Sequence, residues 1–135
     1  MIKVFISLEK FEEEGKTAEK IARSVFNLLK IKDKGVEINL VSNEEMAKLN
    51  STYKKKEGPT NILSFPAKKG FPRPEIKFDS LGEIYLAPDY LKNNQDDVKL
   101  LIIHGILHLL GYNHKEREET IEMEQKEEEI LKELE

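Results

Sequence analysis

Residues 98–110 leave this chain little freedom. Val98, Leu100, Leu101, Ile102, Ile103, Ile106, Leu107, Leu109 and Leu110 put apolar side chains on nearly every face of a helix. A helix that is apolar all round belongs at the buried centre of a fold. Asp96 and Asp97 precede it, where a helix N-terminus favours carboxylates, and Gly111 follows as a left-handed C-cap. His104 and His108 interrupt the apolar run, so it does not read as a membrane span.

All three histidines of the chain fall in the eleven residues HGILHLLGYNH. At a spacing of four, His104 and His108 project from one helical face. Gly111 then lets the chain reverse and bring His114 back toward that face. Three imidazoles with one open coordination position make a catalytic rather than a structural zinc site. Neutral ligands also leave the metal's charge free to lower the pKa of a bound water to about 7. A lone histidine pair on an apolar helix reads more simply as hydrogen-bonded core. The third histidine and the glycine hinge favour one Zn2+ ion, with nickel or copper as competitors in vitro. The spacing H-x-x-x-H-x-x-G-x-x-H matches the metzincin proteases except at Gly105, where those enzymes carry a glutamate as general base. A mid-helix glycine costs about 1 kcal/mol relative to alanine, so close approach of a strand or of substrate is expected there.

At 135 residues the chain has the size of one domain, 1–135. Its formal net charge of -4 excludes a wholly basic nucleic-acid coat but not a local basic groove. Without cysteine, disulfides, thiolate nucleophiles and Cys-based metal sites are excluded. The N-terminus is too short and too acidic for a signal peptide, which makes cytoplasmic residence the expectation. Alternation predicts strands over 2–7, 36–41, 61–65 and 81–87. An acidic loop is expected after the first strand, then a helix N-capped by Thr17 and carrying Ala18, Ile21, Ala22, Val25, Leu28 and Leu29, with Gly35 ending the connection to the second strand. Ser42 and Glu45 form a capping box for a short helix through Met46 and Leu49. The last helix, from about Arg117, reads as a solvated glutamate-rich face that packs through Ile121, Ile130, Leu131 and Leu134. The segment 51–79 stands apart, because Lys54, Lys55, Lys56, Lys68, Lys69, Arg73 and Lys77 outnumber Glu57, Glu75 and Asp79.

HGILHLLGYNH closely resembles the H-G-x-L-H-L-x-G-Y-D-H signature of the YbeY family of bacterial endoribonucleases. LNSTYKKKEGPTNILSFP and LGEIYLAP are similar to two further stretches of that family, in the same order along the chain. The resemblance implies zinc on His104, His108 and His114, cleavage of single-stranded RNA, maturation of the 16S rRNA 3′ end and ribosome quality control on the small subunit. It also implies an α+β, zincin-like fold: a small four-stranded mixed sheet packed by about five helices, the central buried one carrying the ligands. The strands and helices read from the pattern agree. Lys54 stands where the family has an arginine thought to act in catalysis, keeping the charge but losing the bidentate fork for phosphate. Asn113 replaces an aspartate that could support a ligand from outside the metal shell, and Glu83 replaces another aspartate.

These features predict an RNA strand along the edge strand at 61–65. Lys54, aided by Lys55 and Lys56, holds the phosphate, and Tyr53, Phe65 or Tyr112 stacks bases. The protein is expected to work as a monomer away from membranes. Two other readings compete: a zinc metallopeptidase or amidohydrolase, from the metzincin spacing, and a non-catalytic ribosome assembly factor with a structural metal.

Overall fold

The computed structural model describes residues 1–67 and 79–134; Lys68, Lys69, Arg73, Glu75 and Lys77 of the basic segment lie outside the described residues. The elements are β1 (Ile2–Ile6), α1 (Glu12–Leu28), β2 (Lys34–Leu40), α2 (Asn43–Leu49), β3 (Ile62–Pro66), β4 (Asp79–Leu86), α3 (Pro88–Asn93), α4 (Val98–Leu109) and α5 (Arg117–Leu134). A 3-10 turn (Glu9–Phe11) leads into α1, and a π-helical turn (Asn50–Lys54) extends α2. Among the described residues this is the expected α+β arrangement of a four-stranded mixed sheet with five α-helices. The strand order is β1-β2-β4-β3; β1, β2 and β4 run parallel, and β3 lies antiparallel to β4 at the edge.

Side chains alternate across the pleat, so register decides what each face carries. Val4, Ile38, Ile84 and Ser64 form one row across the sheet, on the face covered by α1 and α4, against which α5 packs in turn. Lys3, Glu37, Glu83 and Phe65 form a row on the opposite face. There α2 shields a smaller core of Val41, Met46, Leu63 and Ala87. As its composition demands, α4 is central: Ile102, Ile103, Ile106 and Leu107 have no exposed surface.

The structure corrects four local expectations. Thr17 is no N-cap, because α1 already begins at Glu12. The expected acidic loop is that helix's first turn, where Glu12, Glu13 and Glu14 meet the positive end of the helix dipole. Gly15, inside α1, comes so close to β1 that a Cβ would lie 3.1 Å from Ile6 Cγ2. Gly35 does not end a connection but lies within β2, beside a register irregularity opposite β4. In α5, Ile121 is exposed and Met123 is buried in its place, with Ile130. The capping residue Ser42 is as expected: its Oγ accepts from Glu45 N–H at 3.1 Å and donates to Glu45 Oε1 at 3.3 Å. The short helix α3, which the pattern at 88–95 does not resolve, starts with Pro88 in its first turn, where a missing N–H costs nothing.

The β3–β4 pairing depends on Gly82. Its φ is +137°, and a Cβ there would sit 2.2 Å from the Phe65 carbonyl oxygen and 2.9 Å from Pro66 Cα, both backbone atoms that cannot step aside. Gly82→Ala should therefore cost about 3 kcal/mol or more of stability. Gly58→Ala, also at positive φ but with nothing within 4 Å, should cost only about 1–2 kcal/mol. Urea unfolding midpoints measure both; equal midpoints for the two variants would contradict this account of the pairing.

Candidate metal centre

The three histidines meet on the flank of α4. Asp97 caps that helix, its Oδ1 accepting from Leu100 N–H at 3.3 Å. The helix then presents His104 and His108 one turn apart, with ring centroids 4.5 Å from each other. It ends in a Schellman motif: Gly111 N–H donates to His108 O and Tyr112 N–H to Leu107 O, both at 3.0 Å, with Gly111 at φ +105°. The reversal returns His114, whose ring lies 4.9 Å from that of His108 and 5.8 Å from that of His104. Asn113 makes its hydrogen bond within this return, its Oδ1 accepting from Lys115 N–H at 3.3 Å. The ring of Tyr112 packs against the main core.

Hydrogen bonds on the outer side of two rings assign their tautomers. His104 Nδ1 donates to Glu127 Oε1 at 2.8 Å, and His108 Nδ1 donates to the Tyr112 carbonyl at 3.1 Å. A carbonyl or carboxylate oxygen accepts, so each Nδ1 carries a proton, and in the neutral rings both Nε2 atoms carry lone pairs. Those two Nε2 atoms are 2.9 Å apart. Two lone pairs at that distance repel unless a cation stands between them. One ligand atom from each of the three residues falls within 4.8 Å of the others, the one such group of histidine or carboxylate ligands among the described residues. The donor set therefore fits a metal ion of imidazole preference. Burial lowers the pKa of His108, with the neighbouring His104 and His114 adding to the effect. The lowered value keeps the ring neutral, the form that binds metal.

Glu127 was not foreseen from the sequence. It comes from α5 and its side chain is only 14% exposed. The available signal was its phase, four residues after buried Met123 and three before buried Ile130, on the one inward stripe of a helix otherwise rich in exposed glutamate. A carboxylate on the outer nitrogen of a ligating histidine orients the ring and raises its basicity.

Gly105 has a structural cause. A Cβ there would lie 3.0 Å from both Ile62 Cδ1 and Ile84 Cδ1, and 3.3 Å from Ser64 Oγ. The sheet crowds the place where the metzincin general base would stand, so a side chain at this position would have to push Ile62 and Ile84 aside.

The other expected site residues gather elsewhere. Ser64 points toward Gly105, so its neighbour Phe65 points to the opposite face of the sheet. Tyr53 meets Phe65 edge-on at 5.1 Å, Phe65 meets Tyr85 at 5.7 Å, and Lys54 Nζ lies 5.8 Å from the Phe65 ring centre. Tyr53, Lys54 and Phe65 thus form one cluster, and its contacts run to Tyr85 rather than to the histidines. Lys55 and Lys56 are exposed in the following loop. Buried Asn50 holds that loop, its Nδ2 donating to Gly58 O at 2.9 Å while its carbonyl accepts from Lys56 N–H at 3.3 Å. Burial, followed by the charge of Glu83 and the hydrogen bond from the Tyr85 hydroxyl to that carboxylate, raises the Tyr85 pKa to about 12.

Comparison with known proteins identifies the family. The family described as Endoribonuclease YbeY matches residues 3–135. Endoribonuclease YbeY of Sulfurovum sp. (strain NBC37-1) is 38% identical over 124 residues, covering 86% of this chain and 79% of the relative. The Endoribonuclease YbeY of Francisella tularensis subsp. tularensis (strain WY96-3418) is 40% identical over 109 residues, covering 73% and 67% respectively. The solution structure of TM1509 from Thermotoga maritima superposes with a TM-score of 0.57 at 25% identity, covering 99% of this chain and 91% of that one.

Two outcomes test the electrostatics. Glu127→Gln keeps the side-chain shape but loses the charge that favours a proton on His104 Nδ1, so metal affinity in a chelator competition should fall about 10–100-fold. An unchanged affinity would show that Glu127 does not support the ligand. Because the folded-state pKa of Tyr85 is raised, its contribution to stability is intact below about pH 10 and is lost as pH rises toward 12. Glu83→Gln should move the ultraviolet tyrosinate titration of Tyr85 back toward 10.

Proposed function

The chain belongs to the Endoribonuclease YbeY family, a family of hydrolytic nucleases, and we propose that it is a zinc-dependent endoribonuclease specific for single-stranded RNA. Its substrate in this reading is ribosomal RNA on the small subunit, in maturation of the 16S 3′ end and in quality control of 70S ribosomes. The observation that carries the proposal is the convergence of three imidazoles, two of which, His104 and His108, have their outer nitrogens fixed by hydrogen bonds. His104, His108 and His114 would hold one zinc ion, which supplies an activated water near neutral pH and offsets charge developing on the phosphoryl oxygens.

This chain's own residues supply the rest. Glu127 and the Tyr112 carbonyl keep the Nδ1 protons in place, so that the ligand nitrogens stay aimed inward. With three imidazoles and no fourth protein ligand among the described residues, the centre keeps a position for substrate, unlike a structural zinc. The strand β3 is a sheet edge beside α4, along which an RNA backbone can lie. Lys54 at the end of the π-helical turn, with Lys55 and Lys56, would hold phosphate, and the exposed ring of Tyr53 would stack on a base. Lys54 Nζ lies over the Phe65 ring, so in this reading the phosphate it holds lies on that side of the edge. One chain provides every ligand, and the reading needs no second copy at the centre. No described helix is long and apolar enough to cross a membrane, and the reading places the chain in the cytoplasm with the ribosome. A peptidase is disfavoured because Ile62 and Ile84 crowd the space its general base needs.

The test pairs zinc-loaded and chelator-treated protein with single-stranded RNA and with an unstructured peptide. RNA alone should be cut, and His108→Ala should lower the rate about a hundredfold or more. Lys54→Ala should flatten the salt dependence of RNA affinity, reducing the slope of log affinity against log salt by about 0.7 for one lost phosphate contact. Peptide cleavage that disappears in His108→Ala, with RNA untouched, would overturn the proposal.

A further inference from the structure

Among the described residues β1 is the sheet edge that pairs only with β2, and it is unusually apolar. Of the seven large hydrophobic residues that are exposed among those described, Met1, Phe5, Ile6 and Leu8 lie on or beside this one strand. Natural proteins blunt exposed edges with proline, bulges or several charges. Within Ile2–Ile6 there is only Lys3.

The hydrogen-bonding parity of the edge is fixed by its other neighbour. Val36 N–H donates to Met1 O and Ser7 N–H donates to Leu40 O. In a parallel ladder the odd-numbered residues of β1 therefore bond to β2. Ile2, Val4 and Ile6 turn both main-chain groups outward, where a further strand would receive them. We propose that this edge pairs with the same edge of a second copy of the chain, antiparallel and centred on Val4, joining two four-stranded sheets into one.

Register singles out that pairing. Centred on Val4, Ile2 faces Ile6 of the other copy and Val4 faces Val4, so all three outward residues are used and about six main-chain hydrogen bonds form. Lys3 then stands directly opposite Phe5 of the other copy in a non-hydrogen-bonded pair, the closer kind, on the open face of the sheet. This arrangement gives two cation–π contacts by symmetry. A shift centred on Lys3 sets Lys3 against Lys3, which is destabilising. A shift centred on Phe5 needs Leu8, whose carbonyl already accepts from Phe11 N–H, and strands Ile2. The helix α1 packs on β1 and also on β2 and α4, so the pairing sets the two copies of α1 side by side on the same face of the joined sheet. The two-fold contact is isologous and closes after two copies, which removes the edge without starting a fibre.

Sedimentation equilibrium of the full chain tests this directly. The wild-type chain should sediment as a dimer. Phe5 is 51% exposed, so its replacement leaves the core intact. Phe5→Lys should weaken association at least tenfold by facing Lys3 across the pair, whereas Phe5→Glu should preserve it through an ion pair. Ile121→Lys, at an exposed apolar residue of α5, should change nothing. A wild-type monomer throughout the micromolar range would overturn the proposal. Equal loss in Phe5→Lys and Phe5→Glu, the mark of an unspecific apolar contact or of an edge meant for another protein's strand, would also overturn it.

Discussion

The close approach of α4 to the sheet is the constraint on which the rest of this structure rests. Helix α4 is apolar enough to be buried on nearly every side, and at Gly105 it comes within a methyl group's reach of Ile62 and Ile84. Because Gly105 sits against the sheet, the residues flanking it in the helical sequence are fixed in direction. His104 and His108 emerge on the side toward α5 and the Gly111 turn, where Glu127 and the Tyr112 carbonyl wait for their outer nitrogens. Two polar rings on a core helix are tolerated only because each has a partner. The same packing that buries the helix therefore assigns the tautomers and points two lone pairs at one place.

This constraint also separates the chemistry from the basic loop. The pleat of β3 sends Ser64 toward α4 and Phe65 away from it, and Tyr53 and Lys54 follow Phe65. The centre on one face and the lysine cluster on the other meet only around the β3 edge. A strand of RNA long enough to bend over that edge would touch both. An arginine in place of Lys54 would reach further and grip with two nitrogens, so this chain places its positive charge nearby with less geometric control.

Local sequence spacing revealed most of the centre because most of it is local. His104, His108, Gly111 and His114 are linked by one helix and one turn, so periodicity and a single glycine were enough to foresee their meeting. The four strands and the burial of α4 were legible for the same reason. Glu127 was not, because its value depends on how α5 docks, and among many glutamates only its phase between Met123 and Ile130 sets it apart. The face occupied by Phe65 turned on a parity of one residue, which register and not composition decides. Thr17 misled because the glutamates before it read as a loop, whereas the contact of Gly15 with Val4 and Ile6 makes that stretch part of the helix's seat on β1.

The central claim is that His104, His108 and His114 form a metal centre open to substrate, and X-ray absorption at the zinc edge tests it most directly. The account predicts three imidazole nitrogens at about 2.0–2.1 Å with the remaining position taken by a solvent oxygen, and loss of one nitrogen in each single histidine-to-alanine variant. A shell closed by four protein ligands, or bound zinc that keeps the same shell when His104 or His108 is removed, would contradict it.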